Sequence, residues 1–105
     1  MTITKFINLT PHTITLNDGT TYESCGVARV KTQFTHFNIH NISHVMYGDI
    51  EGLPEPKTGI AYVVSAMVLD AAKKAGRTDC VAPATGHPDT IRKDGFIVSV
   101  PGFVQ

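Results

Sequence analysis

Tryptophan is absent from this 105-residue chain, cysteine occurs twice, and the charges cancel, nine Lys and Arg against nine Asp and Glu. Zero net charge argues against the basic face from which phosphate-backbone binding draws its affinity, so no nucleic-acid backbone partner is expected. It also removes a barrier to self-association. The longest apolar run, Ile60–Leu69, is far short of the roughly 20 residues that span a bilayer, so no membrane partner is expected. Cys25 and Cys80 form no Cys-x-x-Cys motif, and Met1–Phe6 lacks the apolar core of a secretory signal. Both features predict a cytoplasmic chain with reduced thiols, each a small core residue. No Gly-x-Ser-x-Gly elbow, Walker loop or dinucleotide fingerprint is present, so no catalytic residue and no cofactor is expected.

What is present reads as one domain over residues 1–105, of α+β class. The expected architecture is a mostly antiparallel β-sheet of about six strands with one short helix. Phe6–Leu9 is β-prone and stops at Thr10-Pro11-His12, because proline cannot donate to a ladder. Thr13–Leu16 and Thr20–Glu23 flank Asn17-Asp18-Gly19, a strong hairpin-turn signal. Val27–Phe34 alternates apolar and polar, and Val45–Ile50 is weakly strand-like. Gly52–Gly59 holds two prolines and reads as an extended surface loop. Ile60–Ser65 is a buried strand that runs into a helix over Ala66–Ala75, with Ser65 as N-cap and Gly76 as C-terminal stop. Thr78–Ala82 is a short strand, and Ile91–Val100 is a second hairpin about Asp94-Gly95. One helix over several strands leaves sheet uncovered, which predicts a homo-oligomer.

His36, His40 and His44 are four residues apart, a spacing that brings zinc ligands together on a helix. The intervening Phe, Asn and Ile are poor helix formers, and in a strand four residues span about 13 Å, so no metal site is expected. Asp49 and Glu51 would share a strand face, which is weak ground for acid–base work. Anion binding needs no motif. The helix start at Ser65-Ala66-Met67 offers free N–H groups, and arginines offer forks for phosphate. Arg29, Arg77 and Arg92 are the candidate phosphate contacts, with a pairing of Arg77 with Asp79 as the competing structural role. Tyr47, beside Gly48, is the candidate stacking residue, whereas Tyr62 belongs to the core. His12 and His87 each neighbour a proline in a loop and are candidate donors to ribose or phosphate.

Asn8-Leu9-Thr10-Pro11-His12, Gly26-Val27-Ala28-Arg29-Val30, Gly52-Leu53-Pro54-Glu55-Pro56, Tyr62–Val68, and Arg77-Thr78-Asp79 followed by Pro83 together resemble a group of small proteins from bacteriophage and some bacterial genomes. The resemblance spans most of the chain. It carries no catalytic residues, because no activity is attached to the group. It implies a small accessory protein that acts by binding. The expected function is sequestration of an anionic, nucleotide-derived small molecule, without conversion, as a counter-defence sponge in the host cytoplasm. A protein–protein inhibitor acting through the open sheet or the Leu53–Pro56 loop, and a small nucleotide hydrolase, are the rival readings.

Overall fold

Ile60-Ala61-Tyr62-Val63-Val64 is apolar throughout, the pattern of a strand covered on both faces. In the computed structural model, which describes residues 2–105, it forms an inner strand of the main sheet. In chain order the elements are β1 (Lys5–Asn8), β2 (Ile14–Thr15), β3 (Thr21–Tyr22), β4 (Arg29–Phe34), β5 (Val45–Glu51), β6 (Ile60–Val63), α1 (Ala66–Lys74), β7 (Cys80–Pro83), β8 (Ile91–Lys93), β9 (Phe96–Ser99) and β10 (Phe103–Val104). The main sheet has the order β1-β6-β7-β10. β1, β6 and β7 are parallel, and β10 closes the edge antiparallel to β7. The pairs β2–β3, β4–β5 and β8–β9 are separate antiparallel hairpins.

The chain is therefore mostly β with one helix. The expected six-stranded, mostly antiparallel sheet is corrected to four small sheets, and the one that holds the core is mainly parallel. α1 carries the chain back across the sheet, so β6 and β7 cannot pair as a hairpin. β1 then adds to β6 with Lys5 opposite Ile60, a pairing with no local signal.

Strand alternation sorts the core into two layers. Tyr62, Val64, Cys80 and Ala82 pack with Val68, Leu69 and Ala72 of α1 and with Leu9 and Ala28. Val63 and Val81 pack on the other face with Ile14 and Val100, bordered by Phe6, Leu16 and Phe103. The Phe6, Tyr22 and Phe103 rings lie 4.7 to 5.7 Å apart by centroid, in tilted and edge-on contacts. Cys25 is exposed, which corrects its expected place in the core, because it lies beyond β3 in the loop leading to β4. Cys80 is buried, and burial pushes its thiol up to about 11.

α1 is capped as its sequence suggests. Ser65 Oγ accepts from the Val68 N–H at 3.3 Å. At the far end the Gly76 and Arg77 N–H groups donate to the Lys73 and Ala72 carbonyls, the two bonds of a Schellman motif. Asp94 and Gly95 both have positive φ, 53° and 81°, as a two-residue hairpin turn requires. Gly52 (φ 79°) is required for a second reason. A β-carbon there would lie 2.5 Å from the Val27 carbonyl oxygen. No helix among the described residues is long and apolar enough to cross a membrane.

Candidate functional site

The parallel strands β1, β6 and β7 end at one edge of the sheet, where α1 begins. Open α/β sheets bind ligands at such carboxyl ends, because the loops diverge there and the helix presents its N-terminus. Here the edge holds a cleft of about 470 Å³. It is lined by Thr10, Pro11, His12, Thr13, Ile14 and Thr15 after β1, Ser65 and Ala66 after β6, Pro83 and Thr85 at and after β7, and Ile97–Val100 of β9 and beyond.

Asn8 builds the wall that carries His12. Its side chain is fully buried, and it makes four hydrogen bonds. Nδ2 donates to the carbonyls of His12 (2.8 Å) and Tyr22 (2.9 Å), and Oδ1 accepts from the Thr10 N–H (2.9 Å) and hydroxyl (2.6 Å). The Asn8–Thr10 bond is an Asx turn, which bends the chain out of β1 so that Pro11 and His12 reach the cleft. The Ser24 hydroxyl donates to the Thr10 carbonyl at 2.6 Å and braces the same turn.

The electrostatics favour an anion. No Asp or Glu lines the cleft, and α1 has no acidic residue in its first turn. Ser65 satisfies the Val68 amide, while the Ala66 and Met67 amides have no acceptor within the helix. They supply the partial positive charge of the helix start. No Lys or Arg lines the cleft; Arg92 is tied to it through Thr85, whose carbonyl accepts from one guanidinium nitrogen at 2.7 Å, leaving further N–H donors on the fork. Thr13, Thr15 and Thr85 add hydroxyls to the lining, whereas the Thr10 and Ser99 hydroxyls donate to Asn8 Oδ1 and Asn17 Oδ1 at 2.6 Å.

Of the six sequence-derived candidates His12 alone lines the cleft, and Arg92 touches it only through the Thr85 carbonyl. His87 lies in the turn beyond β7, where its Nδ1 accepts from the Asp89 N–H at 3.0 Å. Tyr47 lies on β5 and lines a different groove, with Met67 and Ala71 of α1. Arg29 opens β4, exposed and in register with Glu51. Arg77 lies at the opposite, amino edge of the sheet. Its Nε and one terminal nitrogen pair with both Asp79 carboxylate oxygens at 2.9 Å, and that terminal nitrogen also donates to the Pro54 carbonyl at 2.8 Å. These bonds tie the end of α1 to the Pro54 loop. The hydrogen bond from Arg77 holds Asp79 below the usual carboxylate range, and Arg77 is raised in turn.

Sequence reasoning missed Asn8 and the hydroxyl lining. Asn8-Leu9-Thr10-Pro11 carries the signal, since Asn two residues before a threonine after a strand favours an Asx turn. His36, His40 and His44 fall in the loop that joins β4 to β5, organised by Asn38 Oδ1 accepting from the His40 and Ile42 amides. No group of three His, Cys, Asp or Glu that could hold a metal occurs among the described residues. Addition of EDTA is expected to leave the melting temperature unchanged. A fall of several degrees, restored by zinc, would contradict this. The chain matches no protein-family model, and no curated protein or solved structure is significantly similar to it.

Proposed function

We propose that the protein binds and sequesters an anionic, nucleotide-derived small molecule at the carboxyl edge of its parallel strands, without converting it. One observation carries this reading: an acid-free cleft of about 470 Å³ lies at a capped helix N-terminus, and Arg92 donates to the carbonyl of Thr85, one of its lining residues. The volume falls within the roughly 300–1,000 Å³ of small-molecule sites. The helix amides and Arg92 suit phosphate, the hydroxyls suit ribose, and Ile97, Val98 and Pro83 offer apolar surface to a base. Ser65 is the hydroxyl that a hydrolytic reading would favour, and it caps the helix. The resemblance to phage accessory proteins makes a counter-defence sponge in the host cytoplasm the setting for this activity.

Calorimetry with ADP-ribose as probe, followed by mass spectrometry of the recovered ligand, tests the proposal. Saturable binding and intact ligand support it. Altered ligand would favour the hydrolase, and no binding would favour a protein partner. Arg92→Ala and His12→Ala are each expected to weaken binding about ten- to a hundredfold, the value of one charge-assisted contact. Arg77→Ala is expected to lower stability and leave the affinity of the folded fraction unchanged.

A further inference from the structure

The β4–β5 hairpin continues outward beyond the core. Val30 and Ile50 pack against it, but from Lys31 to Asp49 every residue except Ser43 is exposed. The chain measures 52 × 38 × 21 Å with a radius of gyration of 15.9 Å, against about 13 Å for a compact domain of this length. From Thr32 to Gly48 there is no Lys, Arg, Asp, Glu or Pro. Natural sheets guard free edges with such residues, and the outer edges of β4 and β5 are unpaired within the chain.

The arm is also strongly apolar. Phe34 is 71% exposed, Phe37 72% and Ile39 92%. The ladder sets Phe34 opposite Val45 and Thr32 opposite Tyr47, so Phe34, Val45 and Tyr47 share one face. Tyr47 and Met67 line a groove of about 580 Å³ between the hairpin and α1, so exposed apolar side chains extend from the arm to the helix. At the groove's lip stand Asp70 and Lys74, paired with each other at 3.0 Å.

We infer that this strip, from Phe34 and Val45 to Tyr47 and Met67, is the docking surface for a second copy of the chain related by a two-fold axis. Three observations favour a second copy. The strip presents on the order of 400 Å², about half of one partner's share of a standard interface, and the exposed Phe37, Ile39 and Ile42 of the arm's tip can supply the rest. The chain has no net charge, so copies do not repel. The lip holds one charge of each sign, Asp70 and Lys74, which a two-fold axis can pair reciprocally. Met67 lines this groove and follows Ala66 of the cleft, so the interface borders the anion site.

Light scattering at micromolar concentration is the test. The wild-type protein is expected at twice its 11.3 kDa chain mass. The Phe34→Asp/Tyr47→Asp variant is expected to be monomeric with an unchanged circular dichroism spectrum. Because that variant alters a hairpin, the fully solvated charges provide a second arm. Asp70→Lys and Lys74→Asp are each expected to weaken self-association at least tenfold, and their equimolar mixture is expected to restore it. A monomeric wild type would overturn the proposal and assign the strip to a different protein. So would a folded double variant that stays dimeric, or lip variants that associate as wild type does.

Discussion

Asn8→Asp is expected to cost about 3–5 kcal/mol. The substitution removes only the Nδ2 donor. The His12 and Tyr22 carbonyls, 2.8 and 2.9 Å away, then face a carboxylate oxygen in a site only 1% exposed. The Tyr22 carbonyl loses this donor and the His12 carbonyl keeps only the Thr10 hydroxyl at 3.1 Å, at a cost of about 1–3 kcal/mol, and burial of an unpaired charge adds to that. Against a total stability of roughly 5–15 kcal/mol, this lowers the melting temperature by about 15 °C or more. Urea and thermal unfolding followed by circular dichroism will measure it. A loss under about 1 kcal/mol would show that the buried asparagine does not hold the turn that carries His12.

Asp79→Asn is expected to cost about 2–4 kcal/mol, because it breaks a bidentate pair whose side chains are only 20% and 7% exposed. The cost has a defined pH dependence. Pairing with Arg77 lowers the carboxyl pKa in the folded state, so its stabilisation is complete above the unfolded value of about 3.9. It is lost as the pH falls through the folded value. The stability gap between wild type and Asp79→Asn is therefore expected to be constant near neutrality and to close below about pH 3.9. A gap that persists unchanged in strong acid would mean that the carboxylate charge is not what Arg77 reads. Arg77→Ala should show the same closing gap, since it removes the other half of the pair.

The local signals in the chain were legible, and the long-range pairings were not. Asp18-Gly19 and Asp94-Gly95 each mark a hairpin that forms, and Ser65 and Gly76 bound the helix within a residue of where it lies. The strand–helix–strand run from Ile60 to Pro83 already contained the parallel crossover, but neighbouring hairpin signals favoured an antiparallel sheet. The pairing of β1 with β6 joins segments whose contact depends on burial of both faces of β6, and no turn residue announces it. The same limit applied to the candidate site. Loop position and charge point to His12 and Arg92 as readily as to Arg77, but only the fold shows that His12 lines the cleft and Arg92 bonds its residue Thr85, while Arg77 pairs with Asp79 two residues away in sequence. Cys25 shows the converse error, since an apolar-leaning residue type says nothing about a loop that runs outside the core.

Titration of the 15N-labelled protein with ADP-ribose, followed by amide chemical shifts, tests the central claim most directly. If the cleft is the binding site, saturable shifts will concentrate at His12, at Ala66 and Met67 of the helix start, and at Thr85, which Arg92 contacts. Gly76–Asp79, at the opposite edge of the sheet, will stay in place. Shifts confined to that amino edge, or none at millimolar ligand, would contradict the account.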